Sequence, residues 1–194
     1  MRVFLIYKGR DSYRYVSDLG SLAPWSSAGL GHDGPRPAMH NPGPMDEAHI
    51  TAIHEAAHAV AAIRTGLIFD HVTAQPDYEL ELEGQLQWGE LHASGDIEVP
   101  PELLAIVLLA GPCAEARITR RELDEVFADE EALDDRESLA GLMLDQARFL
   151  QASRDTLELL EADWPLIERV ADELLEADSL GYERVSALVA AHDG

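Results

Sequence analysis

The sequence predicts a mainly α-helical domain with one small β hairpin or sheet, and three observations predict it. Apolar residues make up 46% of the 194 residues and aromatics only 6%, so a core has to be built from Leu, Ala, Val and Ile, which suits packed helices. Apolar side chains recur at three- and four-residue spacing through residues 45–65, and residues 103–110 are apolar on nearly all sides. Strand-like composition is confined to short stretches.

Residues 1–22 hold one strand-like run, 3–7, followed by a polar mixture without a sustained period. Residues 23–44 are dense in Pro, Gly, Ser and His, too poor in apolar surface to offset the entropy of ordering. The chain therefore divides into an N-terminal appendage and linker, 1–44, and one domain, 45–194. Pro42, Pro44 and Asp46 prepare a helix start, with Asp46 and Glu47 where the helix dipole favours acids. In the helix over 45–65, Ile50, Ile53, Ala57, Val60 and Ala61 form a buried stripe, and Gly66 ends it. Two strands follow: 68–74, rich in β-branched residues, and 85–92, where Leu86, Trp88 and Leu91 are the apolar positions. An acidic loop, 76–84, joins them. Pro100 and Pro101 open a second helix, 102–118, whose all-round apolar character makes it the central core helix. Residues 122–132 are strongly acidic and read as a short exposed helix or loop. A helix over 135–152 carries Leu139, Leu142, Met143, Ala147 and Leu150, and 154–162 continues or restarts it. Pro165 begins another, ending near 178, and a short helix closes the domain over 182–191. There is no internal repeat.

A formal charge of −23 repels phosphate backbones and anionic membranes, so neither nucleic acid nor a membrane is an expected partner. Cys113 is the only cysteine, which excludes an internal disulfide and a thiolate metal cluster and fits a reducing cytoplasm. Inside an apolar helix it reads as a small core residue. No apolar run approaches the ~20 residues needed to cross a bilayer.

Chemistry is concentrated in the segment Thr51-Ala-Ile-His-Glu-Ala-Ala-His58. His54 and His58 lie four residues apart, so on a helix both imidazoles project from one face and can hold one tetrahedral Zn²⁺. Glu55 stands beside them as the base that takes a proton from the water attacking a polarised carbonyl. Together these residues predict a zinc metallopeptidase. A catalytic zinc keeps three protein ligands and an open position, and no third histidine follows at the HExxHxxGxxH spacing, so the third ligand comes from elsewhere. The candidates are Asp135, Asp134, Glu115, His71 and His92. Helix phase separates the first two. Asp135 shares a face with Leu139 and Leu142 and points inward, whereas Asp134 aligns with Ser138 and Gly141 and points outward. Glu115, in an otherwise buried helix, is preferred as a structural hydrogen-bonding or ion-pair residue. His32, His40, His49, His71, His92 and His192 read as solvent-exposed or locally bonded.

Several segments resemble one known family in the right order. TAIHEAAHAV looks like the motif helix of the FtsH-like zinc peptidases, and LAIVLLAGPCAEARIT resembles their second core helix. DDRESLAGLMLDQ is similar to the segment that supplies their aspartate ligand, and LLEADWPLIERVADELLEADSLGYERV looks like their C-terminal helices. The match spans roughly residues 46–190. It implies a zincin-like helical fold, His54, His58 and Asp135 as zinc ligands, Glu55 as base, and a strand near 85–91 bordering the cleft. Ala57 stands where the family usually has glycine, and Asp134, Asp135 and Arg136 replace an asparagine-aspartate pair followed by an apolar residue, which leaves the register of the third ligand open by one. The family's ATPase module and membrane anchor are missing from the sequence. The resemblance thus implies a zinc endopeptidase acting on short or unfolded peptides, with a separate unfoldase or a homo-oligomeric ring as partner. The competing expectation is a non-catalytic binding or regulatory protein that keeps the fold and uses zinc structurally.

Overall fold

The computed structural model describes residues 46–74, 85–87, 99–129, 132–177 and 179–194. The strand expected at 3–7, the linker at 23–44, the acidic loop at 76–84 and the positions of Trp88 and His92 lie outside the described residues.

Helix α1, Glu47–Arg64, is rich in alanine, the residue that loses least on entering a helix, and carries Glu47 in its first turn. It is buried on every side from Glu55 to Ala62, a fuller enclosure than the single stripe expected from its larger residues. The small Ala side chains are what allow it: neighbouring helices approach all faces closely. Its end is a Schellman turn. Gly66 takes a left-handed φ of 76° while Leu67 N–H donates to Ala62 O (2.8 Å) and Gly66 N–H to Ile63 O (3.0 Å).

Strand β1, His71–Thr73, is shorter than the expected 68–74 and lies at the centre of a three-stranded antiparallel sheet. On one side it pairs with β2, Gln85–Gln87, with Val72 opposite Leu86. On the other it pairs with β3, Leu180–Gly181, with Val72 opposite Leu180. The last strand was not anticipated, because two residues are too few to show a period.

Helix α2, Pro101–Thr119, opens with proline in its first turn and is buried through most of its middle, Ala105 to Ala114, as its apolar composition requires. Arg120, at a left-handed φ of 59°, turns the chain out of it. The acidic segment that follows contains α3, Leu123–Val126, closed by a reciprocal capping box between Glu122 and Glu125 and anchored by buried Val126 and Phe127.

The helix expected over 135–152 is instead two. Helix α4, Leu133–Gly141, stops at a bend where Met143 adopts φ 50° and stands 88% exposed, so Met143 does not belong to the buried stripe. Asp145 then caps α5, Gln146–Glu176, by accepting Arg148 N–H at 2.9 Å, which leaves Ala147 exposed in the first turn. Helix α5 runs unbroken through Pro165, where a new helix was expected. One apolar-facing row, Ala152, Thr156, Leu160, Asp163, Ile167, Val170 and Leu174, holds its spacing across the proline. The Pro165 ring is on the exposed face, where water can take the carbonyl it leaves without a donor. Helix α6, Tyr182–Asp193, completes the fold.

Helices α1, α2 and α5 pack on one another as the core, with α6 against α1 and α5 and the sheet against α1. The protein is mainly helical with one small antiparallel sheet. Among the described residues, no helix is long and apolar enough to cross a membrane.

The base of α1 is tied to both C-terminal helices through one guanidinium. Arg64 donates to both oxygens of buried Asp163 on α5 (2.9 and 2.7 Å) and to both of Asp193 at the end of α6 (2.7 and 2.8 Å). Removing Arg64 strands a buried carboxylate, whereas removing Asp193, half-exposed, costs only a surface pair. Arg64→Met should lower unfolding free energy by about 2–3 kcal/mol, reduced from the fully buried case because Arg64 is partly solvated, and Asp193→Ala by under about 1 kcal/mol. Urea denaturation of the two variants checks the order; equal losses would show that Asp163 does not depend on Arg64.

Candidate metal centre

One turn of α1 supplies two imidazoles. His54 and His58 stand with ring centroids 4.8 Å apart at an interplanar angle of 65°. The first turn of α4 brings Asp135 over them, and its Oδ2 lies 3.2 Å from His54 Nε2 and 3.2 Å from His58 Nε2. The three atoms fall within 4.8 Å of one another, a group that could hold a metal ion.

The other ring nitrogens decide what this convergence means. His58 Nδ1–H donates to the carbonyl of Val107 on α2 at 2.7 Å; a carbonyl only accepts, so the proton must be on Nδ1. His54 Nδ1–H donates to Glu115 Oε2, also on α2, at 3.1 Å. Neutral imidazoles held in these tautomers turn both Nε2 lone pairs toward an ionised carboxylate, three acceptors with no donor among them. Such a group is stable only if positive charge sits between them, either two further protons or a cation. Two of the three separations, those from Asp135 Oδ2 to each Nε2, are close to the ~3.3–3.4 Å edge of a tetrahedron whose metal–ligand bonds are ~2.0–2.1 Å, and the two nitrogens lie within 4.8 Å of each other. The donor set and its spacing fit a metal.

Without metal, protons fill the role. Burial alone would lower the imidazole pKa values, but hydrogen bonding and attraction to Asp135, joined at His54 by Glu115, overcome it. His54 rises to about 10 and His58 rises as well. Asp135 is held well below the usual carboxylate range: burial opposes this, and both imidazoles more than offset it. Glu55, buried on the same turn, moves the other way, because burial pushes its carboxyl up further than the two histidines pull it down. Its Oε2 has no hydrogen-bond partner. That orphaned oxygen is a second sign that the centre is built for something more than its own side chains.

Helix α2 approaches these rings without a side chain between. A Cβ on Gly111 would lie 2.3 Å from His58 Nε2 and 2.5 Å from His54 Nε2. Glycine costs ~1 kcal/mol against alanine inside a helix, so its place in the middle of α2 reflects this close approach. No protein-family model and no curated protein matches the chain.

Of the residues singled out in the sequence, His54, His58 and Asp135 are brought together, with Glu55 adjoining. Glu115 adjoins as well, but it faces the far nitrogen of His54 rather than the convergence point. Asp134 is exposed, as helix phase requires, and His71 lies on β1 outside the group. Gly111, Val107 and the arginines described below were not singled out. For Gly111 a signal existed, a glycine next to Pro112 inside an apolar helix; a backbone carbonyl such as that of Val107 carries none.

Two outcomes follow from this geometry. Gly111→Ala should raise helix propensity by ~1 kcal/mol yet weaken metal uptake by about 10–100-fold, because the rings must swing away while the fold survives. Competition against a chromogenic chelator reads the affinity, and an unchanged value would mean that the rings do not need the space. Since metal requires both Nε2 lone pairs, uptake at pH 7 should expel protons, and affinity should climb with pH toward about 10, where His54 loses its proton unaided. Indicator titration in weak buffer counts them; no proton release would contradict the raised values. The same linkage makes the histidine contribution to metal-free stability full below pH ~6.5 and lost as pH rises toward 10.

Proposed function

We propose that the protein is a zinc-dependent metallopeptidase with the zincin-like architecture of the FtsH-like peptidases, hydrolysing peptide bonds in short or unfolded chains. The observation that carries this is the convergence of His54 Nε2, His58 Nε2 and Asp135 Oδ2 beside the unpartnered Oε2 of Glu55. Two nitrogens and one carboxylate oxygen form the donor set of a catalytic zinc that keeps one position open. Glu115 is engaged on the outer side of His54, so among the described residues no fourth protein ligand closes the centre, which favours catalysis over a structural role.

Zinc bound there would supply a Lewis acid that polarises a substrate carbonyl and acidifies water. The chain's own residues do the rest. His58 is held by Val107 and His54 by Glu115, so neither ring reorients during turnover. Glu55, with an oxygen free and its proton affinity increased by burial, accepts a proton from the attacking water and returns it to the leaving amine. The side chains of His54, His58 and Asp135 are 13%, 6% and 18% exposed, so a scissile bond must be presented on an extended strand that can reach in; a folded substrate cannot. A separate unfoldase or a ring of copies would deliver such strands, and a reducing compartment such as the cytoplasm suits a chain whose one cysteine is buried.

Glu55→Gln should retain zinc and lose at least ~10²–10⁴-fold in turnover. Incubating wild type and variant with a peptide library and following products by mass spectrometry checks it. Equal cleavage by both would remove Glu55 from the mechanism, and no cleavage by zinc-loaded wild type would leave the structural-zinc alternative standing.

A further inference from the structure

The two sides of the centre come from elements that are distant in sequence, α1 and α4, and both are tied to one short segment, 121–129. On the α1 side, Arg121 donates to Asp129 Oδ2 (2.6 Å) and to Glu125 O (2.8 Å) and sets its Nη1 3.6 Å from Glu115 Oε1, whose other oxygen holds His54. On the α4 side, Arg136, the residue after Asp135, donates to Phe127 O at 2.5 Å. The segment between is held locally. Its capping box closes α3, and Val126 and Phe127 are buried. Arg136 also stands where the resembled family has an apolar residue, so nothing in that resemblance accounts for its contact.

We propose that segment 121–129 is a two-armed brace, in which Arg136 positions Asp135 and Arg121 positions His54 through Glu115, setting the separation of the ligands from the two helices. Helix α4 needs such a support. It has no buried residue of its own, and its N-terminus, where Asp135 sits, has no side-chain cap. Without the Phe127 tie, the first turn of α4 is free to shift by the few tenths of an ångström that separate a closed ligand set from an open one. Arg121 uses two nitrogens of its planar fork, which fixes direction as well as charge, and Arg136 reaches Phe127 O through one; lysine at either place would keep the charge and lose the guanidinium's reach and angle.

This inference rests on the metal-binding part of the proposed function but not on peptidase activity, and its test reads metal directly. Arg136→Met and Arg136→Lys are compared with wild type and with Arg148→Met, which breaks an exposed pair with Glu102 away from the centre. Zinc affinity is measured by chelator competition, ligand geometry by the visible spectrum of the cobalt-loaded full chain, and the folded state by thermal melting of the metal-free chain. Arg136→Met should bind zinc about 10–100-fold more weakly, Arg136→Lys should recover only part of that loss, and Arg148→Met should bind as wild type. In an Asp135→Asn background, Arg136→Met should have little further effect, because it acts through Asp135. Arg121→Met should behave in the same way, with its effect lost in a Glu115→Gln background. Wild-type affinity in Arg136→Met, or an equal loss with and without Asp135, would overturn the brace. A wild type that binds no zinc would instead overturn the metal centre on which both proposals stand.

Discussion

Three largely buried acceptors that face one another set the terms for the rest of this molecule. With neutral rings, His54 Nε2, His58 Nε2 and Asp135 Oδ2 cannot be left as they are, because each imidazole lone pair would meet an ionised oxygen at 3.2 Å. What enforces the conflict is not the acceptors but their far sides. Val107 O and Glu115 oblige each ring to keep its proton on Nδ1, so the Nε2 atoms have no tautomeric escape. A centre arranged in this way demands about two units of positive charge, which protons on the two Nε2 atoms meet where no cation is bound.

The backbone packing follows from bringing those groups so close. Helix α1 is alanine on most of its faces because α2 and α5 both press against it, and any larger residue would hold one of them away. At the point of nearest approach even alanine is too large, and Gly111 lets the α2 backbone meet both rings. Pro112 follows at once. Two poor helix formers in succession would weaken an exposed helix, but α2 is enclosed, so packing rather than propensity holds it together. The centre thus draws on core stability where an exposed element would fail. Helix α4, the one contributor with no buried residue, is the one that depends on side-chain ties.

What the sequence made legible was whatever periodicity or spacing encodes. The paired histidines a turn apart, the enclosed second helix, the glycine stop of α1 and the inward phase of Asp135 against exposed Asp134 all depend on neighbours within one element. What stayed hidden depends on partners elsewhere in the chain or on the backbone. Met143 fitted the stripe of a continuous helix, and only its left-handed φ reveals the break; the cap at Asp145 was the one local clue. Pro165 looked like a start because proline is disfavoured in helix interiors, yet the row from Ala152 to Leu174 kept phase across it, and tertiary packing outweighed the missing N–H. Strand β3 exists only because β1 is there to pair with it. The ties from Arg121 and Arg136 end partly on carbonyls, which no side-chain pattern announces.

The acidic character of the chain bears on which cation the centre could hold. A net charge of −23 draws protons and metal ions alike toward the molecule, as does the ionised Asp135, so neither the field nor the site's own charge discriminates between them. Geometry must. Magnesium and calcium prefer six or more oxygens, and this group offers two imidazoles and a single carboxylate oxygen, with the oxygen 3.2 Å from each nitrogen. Protons satisfy the charge through two separate N–H···O bonds to Asp135, whereas one metal ion would bind all three atoms at once. A metal would add a direct link between the two nitrogens that protons do not supply. The close approach of α2 to both Nε2 atoms at Gly111 and the tie from Arg136 to Phe127 O, which we propose braces α4, are the features that a metal in this place would use.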